Sequence, residues 1–581
     1  MAIDLENQDR RHAIKTIASL LLSGVPGCAF SGKREAMCAN DARISDLKAP
    51  LTIDTHAHIF NGNDLQISAF LNKVALRKSS EMSGFASVVG PLLQGLGWHL
   101  APNGQREIRM LDKLAGDLKN CDPTDLLLAF DQNKQDGYEI AQKEMKRTAG
   151  EYRARLAASF APGGAPDPYA VVRERIADEM IHLPNFLKDY KLEQETKARA
   201  GQASPAAFPA DTIAGYIDFV IHHFHYRYIN ACEYFSTYST DSPRKVDLLT
   251  ACMVDYDYWL NGGKATPTTV PEQIEVMGRI SQATAGRVHG FVPFCPFREA
   301  ATASAVGEGD AMKWVKLAIE KFGFIGIKMY PPMGFGAYGN AGLGDYWRVE
   351  KGLPPIAYEK NFGLRLDKAL ENLYRYCKDN GVPTMAHTNQ SNGPNDRFEK
   401  LAGAEYWSMA IAKEPGLRVS FGHFGNTDPV NGGIERPRAF MRLMASADGA
   451  NAFADSGYFG DILDDRAQLT QLLAALYRDP LPNNTNPLRQ RLMYGTDWEM
   501  ILTTGKSKKY LANFIQTFAE LEKRLSVPPA AWAGLSDEFF GKNAASFLGL
   551  RKMEPNRIRL EAFYKSRNIP APDWMIKVDA S

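Results

Sequence analysis

From residue 50 onward the chain alternates short, apolar, β-branched runs with helical stretches, eight times over. The runs are Leu51–Phe60, Val246–Tyr256, Val288–Phe297, Phe324–Tyr330, Pro383–Thr388, Arg418–Gly425, Ala452–Ser456 and Arg491–Trp498. Between them lie helical patterns such as Leu366–Asn380, where Leu366, Leu370, Leu373 and Cys377 fall on one face and Gly381 followed by Pro383 ends the helix. Eight strands alternating with helices predict an α/β fold, a parallel (β/α)8 TIM barrel spanning residues 50–550.

The spacing of the strands is uneven. The third to eighth follow at a barrel-like pace, whereas roughly 185 residues separate Phe60 from Val246. This gap holds charge-rich helical stretches, Asp136–Leu156 and Tyr169–Ala200, and Gly/Pro/Ala-rich breaks at Ala161–Pro168 and Gly201–Pro209. Residues 62–210 are read as a large helical insertion, a cap, in the loop after the first strand, and Asp211–Phe235 as the barrel's own first helix. Such an insertion sits over the C-terminal face of a barrel and shapes what enters it. Residues 551–581 read as an irregular tail.

With 68 basic and 67 acidic side chains, the net charge of +1 carries no electrostatic footprint for nucleic acid. Hydrophobic residues at 45% and charged residues at 23% exclude disorder, collagen and coiled coil for most of the length. Seven cysteines without a CxxC pair do not make a disulfide framework. Residues 1–30 stand apart. Arg10-Arg11 precedes a modest apolar run, Thr16–Phe30, too short to span a bilayer and similar to a twin-arginine export signal. Val25-Pro26-Gly27-Cys28 resembles a lipoprotein cleavage box, with Cys28 as the residue that would carry a lipid anchor. The expected location is the cell envelope or periplasm, with a cytosolic protein bearing a basic amphipathic helix as the alternative.

Five of the strand ends carry ligand-type residues where a barrel would converge them. The first strand reads Ile53-Asp54-Thr55-His56-Ala57-His58, and at period two Asp54, His56 and His58 share a face. Two imidazoles one pleat apart can bind one ion from one side. The fifth strand ends in His387, the sixth in His423 and the eighth in Asp497, while the fourth presents Lys328 and Tyr330 opposite Ile325, Ile327 and Met329. "NGVPTMAHT", "LRVSFGHFGN" and "RLMYGTDWE" around these residues, with "GKNAASFLGL" as a closing helix, resemble the amidohydrolase superfamily, and most closely its amidohydrolase-related branch. The resemblance covers residues 50–60 and 245–550.

That resemblance implies a divalent metal, usually zinc and one ion rather than two, held by His56, His58, His387 and Asp497, with a metal-bound hydroxide as nucleophile. Neutral imidazole and carboxylate suit zinc, and bound water with a pKa near 7 is a nucleophile at neutral pH. Asp497 would accept the proton of that water and deliver it to the leaving group. His423 would bind a second ion or polarise the substrate carbonyl. Lys328 would bridge two ions if carboxylated, or else anchor an acidic substrate group. Asp54 would orient the strand-one histidines or merely begin the strand. The expected activity is hydrolysis of a C–N or C–O acyl bond in a small amide, lactam, lactone or ester. The alternatives are non-oxidative decarboxylation of an aromatic or unsaturated acid, which an arginine cluster near the strand ends would favour, and a catalytically inactive envelope binding protein.

Three further features need an account. His222, His223 and His225 read as an aromatic-rich packed helix, with 222 and 225 as neighbours, ahead of a second metal or substrate contact. Gly334, Gly336, Gly339, Gly342 and Gly344 follow the fourth strand without a nucleotide fingerprint and predict a flexible loop that closes over substrate. Trp498 and Tyr330 are expected to wall the pocket.

Overall fold

The computed structural model describes residues 46–70, 101–117, 225–239, 242–304, 307–481, 486–526 and 532–581, with isolated positions between 73 and 223. The export and lipid-anchor readings at Arg10-Arg11 and Cys28, and most of the 62–210 insertion, lie outside the described residues. Among the described residues no helix is long and apolar enough to cross a membrane.

All eight predicted strands form, shorter at their ends than their sequence patterns: β1 (Ile53–Ala57), β2 (Leu248–Cys252), β3 (Val288–Pro293), β4 (Gly326–Met329), β5 (Thr384–His387), β6 (Val419–Gly422), β7 (Ala452–Asp455) and β8 (Leu492–Met493). They pair in parallel in the order β1 to β8, the arrangement of a TIM barrel. Every residue of every strand is buried, as expected where side chains fill the inside and helices cover the outside.

Closure falls not on β8 itself but on the segment that follows it. The Thr55 amide donates to Tyr494 O (3.1 Å), the Thr496 and Asp497 amides both donate to His56 O (3.1 and 2.6 Å), and the His58 amide donates to Trp498 O (3.1 Å). Asp54 reinforces this seam. Its buried carboxyl accepts from the amides of His56 and Thr496 (both 3.1 Å), from Thr496 Oγ1 (2.6 Å) and from the Tyr234 hydroxyl (2.7 Å). Burial pushes the carboxyl up to about 7, against the pull of those donors.

Little of the insertion region is described, but what is seen is tightly tied. Helix α1 (Gly104–Asp117) brings Glu107 against Arg227, the first residue of α2 (Arg227–Ser239). Arg227 Nη1 lies 2.8 Å from Glu107 Oε1, its backbone amide donates to Glu107 Oε2 (2.9 Å), and its Nε donates to Asp64 Oδ2 (3.2 Å). Three charges buried together leave one negative charge in excess. Burial pushes the Glu107 carboxyl from its ordinary 4.5 up to about 7, with Arg227 opposing and Asp64 adding to the rise. The folded protein therefore holds this proton to higher pH than the unfolded chain. Its stabilisation is complete below about 4.5 and lost as the pH climbs through 7, by at most about 3 kcal/mol. Glu107→Gln is expected to flatten that slope: chemical denaturation at pH 5 and pH 8 should show the wild type losing about 2–3 kcal/mol more than the variant. Equal losses would sink this account of the cluster.

Helix α3 (Val270–Ala283) opens with a capping box, Thr269 and Glu272, and packs on α1, where Gln105 Nε2 donates to Glu272 Oε1 (2.9 Å). Helix α4 (Phe362–Asn380) buries Leu366, Leu370, Leu373 and Cys377 as its spacing predicts and ends at Gly381, whose φ of 59° is the left-handed stop.

Three expectations are corrected. The single helix Asp211–Phe235 is interrupted: His223 lies in a turn and His225 in a bend, and the described helix resumes at Arg227. The reason lies in Asn230, whose side-chain amide donates to the His222 carbonyl (2.8 Å) and so satisfies the broken helix end. The loop after β4 is pinned rather than free. Asn340 exchanges two 2.9 Å bonds with Gly336, the amides of Asn340 and Ala341 both donate to Asp367 of α4 (2.9 Å), and the Trp347 indole donates to Gly334 O (2.6 Å). Residues 551–581 are not irregular but form α5 (Pro555–Arg567) and α6 (Asp573–Ala580), which seal the barrel floor. Trp574, Leu560 and Tyr564 join Leu51, Ile53, Phe291 and Ile325 in one apolar cluster. Their helical signal is diluted because buried polar residues do specific work there: Asn556 Nδ2 donates to Ile325 O (2.8 Å) and Lys577 Nζ to Asp247 Oδ1 (2.7 Å).

Candidate metal centre

At the C-terminal mouth of the barrel, His56, His58 and Asp497 each offer a ligand atom within 4.8 Å of the others, and all three are buried. His58 Nε2 lies 3.2 Å and His56 Nε2 3.6 Å from Asp497 Oδ1. The tautomers follow from the far side of each ring. His58 Nδ1 is 2.8 Å from the Cys252 carbonyl and His56 Nδ1 is 2.9 Å from Asp455 Oδ1, and both of these partners only accept. Burial lowers the pKa of both imidazoles, so each proton sits on Nδ1 and each Nε2 presents a lone pair to Asp497. Asp497 Oδ1 is buried without a hydrogen-bond donor. His56 Nε2 meets Lys328 Nζ at 2.9 Å, but the His58 lone pair and the Asp497 oxygen, 3.2 Å apart, repel one another unless a cation stands between them, so the donor set fits a divalent metal.

His387 and His423 are in the same mouth but belong to a second pair. His423 Nδ1 donates to Gly457 O (2.8 Å), and His387 Nδ1 donates to His423 Nε2 (3.0 Å). The Ser391 hydroxyl lies 3.2 Å from His387 Nε2, and Tyr330 stacks on the His387 ring at 4.4 Å. Burial first, and then His56, lowers the His423 pKa to about 4. The structure thus groups three of the four implied ligands and sets His387 beside them. Lys328, buried at the end of β4, reaches His56 Nε2 at 2.9 Å. Tyr330 walls the site as expected, whereas Trp498 turns away and packs edge-on against Tyr234, Tyr238 and His222. The histidine cluster is packing: His222 pairs with Glu233 (2.8 Å), and His223 donates to Phe219 O (2.6 Å) and stacks toward Phe60.

Sequence reading does not single out Asp455, the next-to-last residue of the predicted strand Ala452–Ser456. Besides His56 Nδ1, its carboxylate accepts from the amides of His423 (3.1 Å) and Gly457 (3.0 Å) and from Ser420 Oγ (3.2 Å). Burial opposes its ionisation, but the His56 hydrogen bond and the charge of nearby Lys328 bring it down to about 2. One fixed anion therefore sets the tautomer of His56 and the backbone of His423 together. Backbone strain gathers at the same mouth: His423, Phe424, Asp497 and Glu499 all have positive φ, between 47° and 68°. Non-glycine residues adopt such angles where the surroundings enforce them, commonly at functional sites.

A TIM barrel with imidazole and carboxylate ligands converging at the C-terminal ends of its strands is the architecture of the metal-dependent hydrolases. A sequence profile described as amidohydrolase matches residues 255–550, just over half of the chain, and the protein belongs to that family as an enzyme of the hydrolase type. The matched segment contains Lys328, His387, His423 and Asp497, while His56 and His58 precede it and are brought in by the closing strand. No curated protein matches the chain. Among solved structures, similarity is found to an uncharacterized TIM-barrel protein, Bb4693, from Bordetella bronchiseptica (14% identity, 52% of this chain and 83% of that chain, TM-score 0.31). It is also found to a putative 2-pyrone-4,6-dicarboxylic acid hydrolase from Pseudomonas putida (14% identity, 55% of this chain and 88% of that chain, TM-score 0.30).

Proposed function

We propose that this protein hydrolyses a C–N or C–O acyl bond of a small molecule (an amide, lactam, lactone or ester) with one divalent cation, zinc by the chemistry of the donors. The observation that carries this reading is the buried Asp497 Oδ1, without a donor, 3.2 Å from the His58 Nε2 lone pair and 3.6 Å from His56 Nε2. The cation would be held by His56, His58 and Asp497, with His387 as the fourth group of the family's set. When bound it supplies Lewis acidity, lowering the pKa of water toward 7. Asp497 Oδ1 accepts a proton from the attacking water and later returns it to the leaving nitrogen or oxygen. The His387–His423 pair, tied by its 3.0 Å bond and braced by Gly457 O, holds the opposite side of the site and faces the substrate carbonyl. Lys328 is the anchor for an acidic substrate group.

Among the described residues the arginines at the mouth are committed, which favours hydrolysis over decarboxylation. Arg298 grips Asp255 and Asp257, and Arg436 donates to Gly425 O (2.7 Å) and Thr388 O (2.5 Å). The cell envelope is the proposed location, on the Arg10-Arg11 pattern alone. Elemental mass spectrometry on protein purified without chelator tests the metal reading. One ion per chain is expected, unchanged in Lys328→Ala. Two ions falling to one would make Lys328 a bridge, and none after incubation with zinc would overturn the proposal.

A further inference from the structure

The edge where β1 meets the end of the barrel is a ladder with a two-residue period: Asp497 N to His56 O, His58 N to Trp498 O, then the Phe60 amide. The first two rungs are backbone to backbone. At the third, the chain has already turned away, because Glu499 has a φ of 68°. Phe60 N donates instead to the Glu499 side chain, at 2.8 Å to Oε2. A carboxylate oxygen takes the place of the missing backbone carbonyl.

The other oxygen of Glu499 faces outward from the ladder. Its Oε1 accepts from Asn230 Nδ2 (3.3 Å), on α2, and the same amide nitrogen donates to His222 O. Glu499 is fully buried, and Trp498 beside it is enclosed by Tyr234 and Tyr238 of α2 and by His222 ahead of the break. The third rung is therefore not closed by the barrel alone.

We propose that Glu499 is a positioning residue: it completes the β1 ladder with its side chain and, through Asn230, makes the spacing between His58 and Asp497 depend on the docking of α2. This rests on the metal reading above. It differs from a generic packing role, because the group matters as an acceptor aimed at Phe60 N and not as volume or charge. Gln retains a carbonyl oxygen for that amide, Ala retains nothing, and Asn230→Ala cuts only the link to α2.

The test is zinc affinity of the full chain by competition with a chromophoric chelator, alongside peptide-level hydrogen exchange over residues 56–61 in the absence of metal. Glu499→Ala is expected to weaken zinc binding by 10-fold or more and to speed exchange of the Phe60 amide. Glu499→Gln should stay within 3-fold of wild type, and Asn230→Ala should fall between. If Glu499→Ala does not fold, the Gln and Asn230→Ala variants decide. Unchanged zinc affinity in the folded variants, whatever their melting temperatures, would overturn the proposal and leave the metal reading standing. A wild type that binds no zinc would overturn both.

Discussion

Asp497→Asn is expected to yield a folded protein that has lost nearly all turnover. Asn matches Asp in shape and tolerates left-handed backbone better than most residues, so the φ of 56° at this position costs it nothing new. What changes is the chemistry at Oδ1. The negative charge facing His56 Nε2 and His58 Nε2 disappears, and a carboxamide has no basic oxygen to take a proton from water. An amide N–H in that position can donate to His58 Nε2 and would occupy the place of the cation. Loss of a proton acceptor alone costs about 10²–10⁴-fold, and loss of a ligand adds to it. Turnover against a panel of p-nitrophenyl esters and aryl lactones should fall by about 10³-fold or more. Metal content should drop well below one per chain while the melting temperature holds. A variant within tenfold of wild type on its best substrate would remove Asp497 from the chemistry, and indifference on all substrates would favour a binding protein.

The second large effect is expected at Asp455, which touches neither metal nor substrate. Its four donors, His56 Nδ1, the amides of His423 and Gly457, and Ser420 Oγ, are all buried. Ala in its place leaves them unpaired at roughly 1–3 kcal/mol each, enough to threaten the fold. Asp455→Asn is therefore the informative change. An amide oxygen in place of Oδ1 can still serve the two backbone donors and His56 Nδ1–H, and the amide nitrogen in place of Oδ2 meets Ser420 Oγ, which can accept. The imidazole keeps an acceptor for Nδ1–H but loses its anionic partner, which makes Nε2 a weaker metal ligand. Groups behind a metal-ligating histidine are worth about 10–100-fold in affinity, and that loss is expected here. Isothermal titration with zinc checks it, and an affinity within twofold of wild type would show that His56 needs no such partner.

The barrel is plain in the sequence because its strands are buried on both faces and read as apolar runs whatever their partners, so all eight are found. His56, His58, His387, His423 and Asp497 are legible for a related reason: a polar side chain that ends an apolar run has few roles other than the mouth of the barrel. What stays hidden depends on partners far along the chain. Asp455 ends its strand like the others, yet its meaning lies in His56, 399 positions away. The glycines after β4 read as freedom until Asp367 and Asn340 pin the loop. The break at His223 leaves no proline or glycine behind, because Asn230 supplies the compensation from the next helix. Proximity of His387 to the other ligands, as opposed to membership of the same mouth, is decided by side-chain geometry that strand-end reading does not reach.

Both ends of the barrel wait for the far end of the chain. β1 cannot be hydrogen-bonded on its open side until residues 494–498 arrive, and the floor stays uncovered until Trp574 and Lys577 dock beneath β3 and β2. At ribosomal speeds of about 5–20 residues per second, the roughly 520 residues between β1 and Lys577 take about 26–104 s, during which the first strand is made and the apolar floor is exposed. The barrel therefore closes late and its floor later still, which makes the nascent chain a natural client for chaperones while these segments are awaited.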